Sequence, residues 1–179
     1  MHTTFIAPIL GLLVVAGCQM TSPTVHSDAS AEKDAALLGP VSELLGDWEM
    51  PDEGGAPFHA ATFAMTAGGS AVREIMFPGA PQEMTNLYHM DGGELVITHY
   101  CAAGNQPRMV ASEAVETDDA TVFHFQLDSV SNLRESHDHY MGDMTLTIQK
   151  DGGLRQDWRS YDREGNLTDP VTFLLSRMN

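Results

Sequence analysis

The side chains best placed to do chemistry sit together in "ELVITHYCAAGNQPRM", Glu94 to Met109. An apolar run leads into His99, Tyr100 and Cys101, and the loop after it holds Asn105, Gln106 and Arg108. An imidazole and a thiol two residues apart on a strand share a face, so both could look into a cavity or reach one metal ion. Their Cα atoms would lie about 7 Å apart, which is awkward for a direct thiolate–imidazole bond. "HDH" at 137–139 adds His139, which turns inward with Met141 only if a bulge at Gly142-Asp143 shifts the strand phase by one. Haem would need only one imidazole, from His99 or His139, but Cys101 followed by Ala102 and Ala103 is no attachment motif. Zinc fits the same N and S donors, yet neither Cys-x-x-Cys nor His-Glu-x-x-His occurs. No serine elbow, phosphate loop or paired-carboxylate pattern occurs either, so nothing supports an enzyme.

Strand alternation selects which groups face inward. In "ELVITHYC" the apolar set is Leu95, Ile97, His99 and Cys101. Met84, Asn86, Tyr88 and Met90 share a face, as do Thr121, Phe123, Phe125 and Leu127. Leu154, Gln156, Trp158 and Ser160 form a further set. In "AVREIMF" either phase buries a charge, Glu74 or Arg73, and Arg108 would pair with Glu74 if both lay at the same end. The expected pocket is therefore Tyr88, His99, Cys101, His139 and Trp158 in an apolar wall. Asn105, Gln106 and Arg108 would present donors at its rim to an anionic ligand. The alternative is that these groups bond to one another and fill the interior, leaving an interaction domain.

The elements that would hold them are short strands. Turn signals recur at "TAGGS", "MDGGE", "ETDDA", "KDGGL" and "REGN", and Gly accepts the positive φ that tight hairpins require. No long segment shows a 3.6-residue apolar period. Sequential hairpins predict an all-β, antiparallel up-and-down β-barrel of nine or ten strands over 41–179, because closure removes exposed edges. A sandwich is the competing arrangement. Residues 18–40 are rich in Ser, Thr, Ala, Asp and Pro and read as a flexible tether, with one helical turn near Asp34 to Leu38.

Phe5 to Ala16 is an apolar run shorter than a membrane span, the layout of a secretory signal covering 1–17. Its end, Val15-Ala16-Gly17-Cys18, resembles the bacterial lipobox, although no Lys or Arg precedes the apolar run. That resemblance implies lipidation of Cys18 and an exported protein, anchored to a bacterial membrane in the cell envelope on its periplasmic face. Cys101 would then be the remaining thiol, so no intrachain disulfide could form. Residues 1–17 carry no Asp, Glu, Lys or Arg, so the net charge of −16, with His neutral, belongs to the mature protein. So acidic a surface disfavours nucleic acid and anionic lipid. "LLGDWEM", with Gly46 and Trp48, resembles the Gly-x-Trp opening strand of lipocalin-like (calycin) barrels, where the tryptophan helps close the lower end. His99 to Met109 also resembles a segment of an uncharacterised group of bacterial lipocalin-like proteins, which implies the fold and no activity. The reading is an exported barrel that binds a small, partly apolar molecule, with a metal- or haem-binding barrel as the alternative.

Overall fold

The computed structural model describes residues 24–178. The lipobox-like segment and Cys18 lie outside them. The first element is a helix, α1 (Ala31–Ser42), in the segment read as a tether. Ser30 caps it by accepting a hydrogen bond from the Lys33 backbone N–H, and Glu32 and Asp34 place negative charge in its first turn. Leu37, Leu38 and Val41 are buried, and with Leu44 they form a plug across one end of the strands.

Strands β1 (Gly46–Pro51), β2 (Pro57–Thr66), β3 (Ala71–Met76), β4 (Met84–Asp91), β5 (Glu94–Tyr100) and β6 (Gln106–Ala111) form an antiparallel meander. It is followed by β7 (Ala114–Glu116), β8 (Ala120–Ser131), β9 (Tyr140–Gln149), β10 (Leu154–Tyr161) and β11 (Val171–Arg177). Two pairings close the ring. Strand β1 pairs with β11, Trp48 opposite Arg177, and β6 pairs with β8, Met109 opposite Leu127. The short β7 meets the first half of β8 while β6 meets its second half, so β6 and β7 act as one interrupted wall strand. The result is the expected all-β antiparallel barrel, closed with ten strands.

Trp48 sits at the helix-plugged end. Its indole N–H donates to the Leu44 carbonyl at 2.8 Å, and the Arg177 guanidinium lies 4.6 Å from its ring centroid. Arg177 also donates to the Leu45 carbonyl at 2.8 Å, tying the helix-to-strand link to the closing strand. The opposite end is the mouth, where Met50, Phe77, Met84, Met141 and Phe173 are partly buried against the core.

Bulges interrupt the register at three places, one of them at Gly142, where a bulge was the condition for a shift of strand phase. There Arg159 pairs with Asp143 and Ser160 with Met141, leaving Gly142 as the extra residue. Glycine is required at this point: a Cβ would lie 2.5 Å from a Tyr161 ring carbon.

Candidate functional site

The lumen is apolar except for a hydrogen-bonded group of polar side chains around Glu74 and, apart from it, Asn105. Phe63, Tyr88 and Phe125 form an aromatic cluster, with ring centroids 6.5 Å apart in a tilted pair and 6.2 Å apart in an edge-to-face pair. Among them sits Glu74, fully buried on β3 between Val72 and Met76. The inward phase of "AVREIM" is therefore the one that buries the carboxylate and leaves Arg73 exposed.

Three donors converge on that carboxylate. Asn86 Nδ2 donates at 2.7 Å and the Tyr88 hydroxyl at 2.8 Å, both to Oε2, while Gln156 Nε2 donates to Oε1 at 2.7 Å. Burial pushes the Glu74 pKa up, and the hydrogen bonds from Asn86, Gln156 and Tyr88 pull it back. The three donors favour the ionised form and so oppose the desolvation that favours the neutral acid. Trp158 extends the group, its indole N–H reaching Gln156 Oε1 at 3.3 Å.

His99 is attached through Asn86. Its Nδ1 lies 2.7 Å from Asn86 Oδ1. Because the amide nitrogen of Asn86 is committed to Glu74, the oxygen facing His99 must accept, so Nδ1 carries the proton. Nε2 is then a bare lone pair. It is buried and has no hydrogen-bond partner among the described residues. Desolvation lowers the His99 pKa from 6.5 to about 4, so the ring is neutral at pH 7. The Trp158 ring packs against it at a centroid distance of 5.0 Å.

The lumen thus brings together Tyr88, His99 and Trp158 of the expected pocket. Asn105 belongs with them. It is completely buried, donates from Nδ2 to the His139 carbonyl at 2.8 Å, and leaves Oδ1 without a partner among the described residues.

Two side chains, His139 and Arg108, are placed otherwise than expected, while Cys101 and Gln106 flank the loop between β5 and β6. Cys101 lies one residue beyond the end of β5, half-buried in the 101–104 turn, where its carbonyl accepts from the Gly104 N–H at 2.9 Å. His139 stays outside despite the bulge, because β9 begins only at Tyr140; its ring is largely exposed and meets Asp138 at 3.0 Å. Arg108 faces out, since Met109 takes the lumen, and it bridges Asp91 at 2.5 Å and Asp128 at 2.7 Å rather than Glu74. Its hydrogen bond holds the Asp128 carboxyl below the ordinary range. Gln106 folds back onto the loop, donating to the Gly104 carbonyl at 3.0 Å.

Glu74, Asn86 and Gln156 were not among the expected site residues. Their signal was present: Asn86 and Gln156 fall on the inward phase of otherwise apolar faces. A surface cleft of about 710 Å³ beside α1, lined in part by His26, Asp34, His89 and Asp91, lies outside the lumen. Among the described residues no three His, Cys, Asp or Glu side chains gather as a metal site.

The fold and this cluster define a class: a closed ten-stranded antiparallel barrel, plugged by a helix, with a hydrogen-bonded polar group inside. No family model matches the chain, and no curated protein matches it. Among solved structures it is similar to the crystal structure of Rv2717c from M. tuberculosis, with 18% identity and a TM-score of 0.51. The match covers 85% of this chain and 100% of that one. At that identity the likeness is one of fold.

Proposed function

We propose that the protein is an exported, lipid-anchored barrel whose lumen binds a small, partly apolar molecule beside His99. The unpartnered, buried Nε2 of His99 carries this reading. Leaving a buried acceptor unmatched costs about 1–3 kcal/mol, a penalty that a ligand supplying the missing partner removes. The Glu74–Asn86 chain holds the imidazole in one tautomer and one orientation, which is pre-organisation for a partner at Nε2. The aromatic and methionine side chains toward the mouth supply the apolar contact such a molecule needs. The lipobox-like Val15 to Cys18 segment supports the anchor.

The test is extraction. Full-length protein purified from bacterial membranes is denatured in organic solvent and the released small molecules are measured by mass spectrometry. One compound near equimolar with the wild-type protein, absent from a folded His99→Phe variant, is the expected result. Wild-type protein that releases nothing, with His99→Phe folded and more stable, would make the imidazole a core group only. The second reading is a metal- or haem-binding barrel, because a metal-ligating histidine is commonly held by its other ring N–H on a carbonyl or carboxylate oxygen, as His99 Nδ1 is on Asn86 Oδ1. A Soret band, or stoichiometric zinc in elemental analysis, would favour it.

A further inference from the structure

We infer that the lumen is built for the protonated nitrogen of a small organic amine, a ligand end that donates hydrogen bonds and accepts none. This rests on the lumen-binding reading and specifies which chemistry it selects.

Two buried acceptors have no partner among the described residues: His99 Nε2 and Asn105 Oδ1. The polarity of each is fixed by what the rest of its side chain does. Asn86 Oδ1 obliges His99 Nδ1 to donate, and the His139 carbonyl obliges the Asn105 nitrogen to donate, so neither ring nor amide can turn over to offer an N–H instead. Both side chains are essentially inaccessible, His99 at 1% exposure and Asn105 at 0%. They also lie on one face. His99 continues the inward set of Leu95 and Ile97 on β5, and Asn105 continues the buried set of Met109 and Pro107 just ahead of β6. The two strands pair directly, and the Cys101 N–H donates to the Asn105 carbonyl at 3.1 Å, which places the two acceptors in neighbouring rows.

Each buried donor atom, in contrast, already has a partner. Asn86 Nδ2, the Tyr88 hydroxyl and Gln156 Nε2 all point at Glu74, and the Trp158 indole N–H points at Gln156. Among the described residues no Lys or Arg is buried. A carboxylate or phosphate placed here would set lone pair against lone pair with no cation to balance it. A neutral alcohol carries a single O–H and can satisfy only one of the two acceptors, whereas a protonated amine carries up to three N–H donors and can meet both. The Trp158 ring beside His99 adds a π face for the cation, and a chain of net charge −16 draws cations to its surface. The rim expected to greet an anion is absent for the same reason: Arg108 is engaged outside by Asp91 and Asp128.

Three isosteric probes decide the point: 2-phenylethylammonium, 2-phenylethanol and 3-phenylpropionate, titrated at pH 7 into detergent-solubilised full-length protein and followed by calorimetry and thermal unfolding. The amine is expected to bind at least about tenfold more tightly than the alcohol, and the carboxylate not to bind. His99→Phe and Asn105→Leu should each weaken the amine by about tenfold or more while the near-ultraviolet spectrum stays native. Carboxylate binding equal to or tighter than amine binding would overturn the amine inference and leave lumen binding standing. So would a natural extracted ligand with no N–H or O–H donor. If no probe binds and nothing is extracted, or if one ordered water satisfies both acceptors in a protein that binds no amine, the inference falls together with the reading beneath it.

Discussion

His99 stays neutral because its ring has been taken out of water without a carboxylate in contact, Asn86 standing between it and Glu74. The unfolded chain protonates this residue near its ordinary value of 6.5, whereas the folded one resists until about 4. Between those limits the unfolded state binds the extra proton, so folding stability falls as pH falls, by up to about 3 kcal/mol. Glu74 works in the opposite sense. Its folded pKa is raised above 4.5, so acidification toward that value relieves a buried charge. The expected outcome is that His99→Gln removes part of the wild-type loss of stability between pH 6.5 and pH 4.5, read as urea midpoints at each pH. An unchanged slope would show that another group titrates there. Much of this site could be read from strand phase, because Asn86, Tyr88, Gln156 and Trp158 alternate with solvent-facing residues. Glu74 could not, because both phases of its strand bury a charge and only the three donors from other strands make one of them acceptable.

At the scale of elements the main departure is α1. Its sequence, "AEKDAALLGPVS", holds Gly39 and Pro40 and follows a Ser- and Thr-rich stretch, so composition argues for a tether. A twelve-residue helix is marginal alone, and this one exists because Leu37, Leu38 and Val41 have a barrel end to enter. Leu37→Ala should therefore cost about 2–5 kcal/mol in chemical unfolding, whereas Ala36→Ser, on the exposed face, should change stability by less than about 0.5 kcal/mol. Equal effects would mean that the helix does not plug the barrel. The hairpins were plainer, since Gly92, Gly152 and Gly165 take positive φ in the turns where Asp-Gly and Glu-Gly mark them. The bulge at Gly142 was also foreseeable. That His139 would remain outside was not, because it depends on where β9 starts pairing with β10 rather than on local phase.

For the whole molecule, the surface charge and the proposed anchor act together. A domain of net charge −16 has no attraction to anionic lipid, so membrane residence would depend on the acyl chains at Cys18. Cys18→Ser is expected to move the protein from the membrane to the soluble fraction and to abolish incorporation of labelled palmitate. Retention in the membrane without label would remove the lipoprotein reading and leave the barrel untouched. The sequence alone determined the all-β antiparallel class, a barrel of nine or ten strands, the hairpin order and several inward faces, because alternation and turn chemistry are local properties. Closure through β1–β11 and β6–β8, the docking of α1, and the convergence of three side chains from two strands on Glu74 were decided only in three dimensions. Those features join residues far apart in the chain, and no local pattern records which distant partner a buried polar group will find.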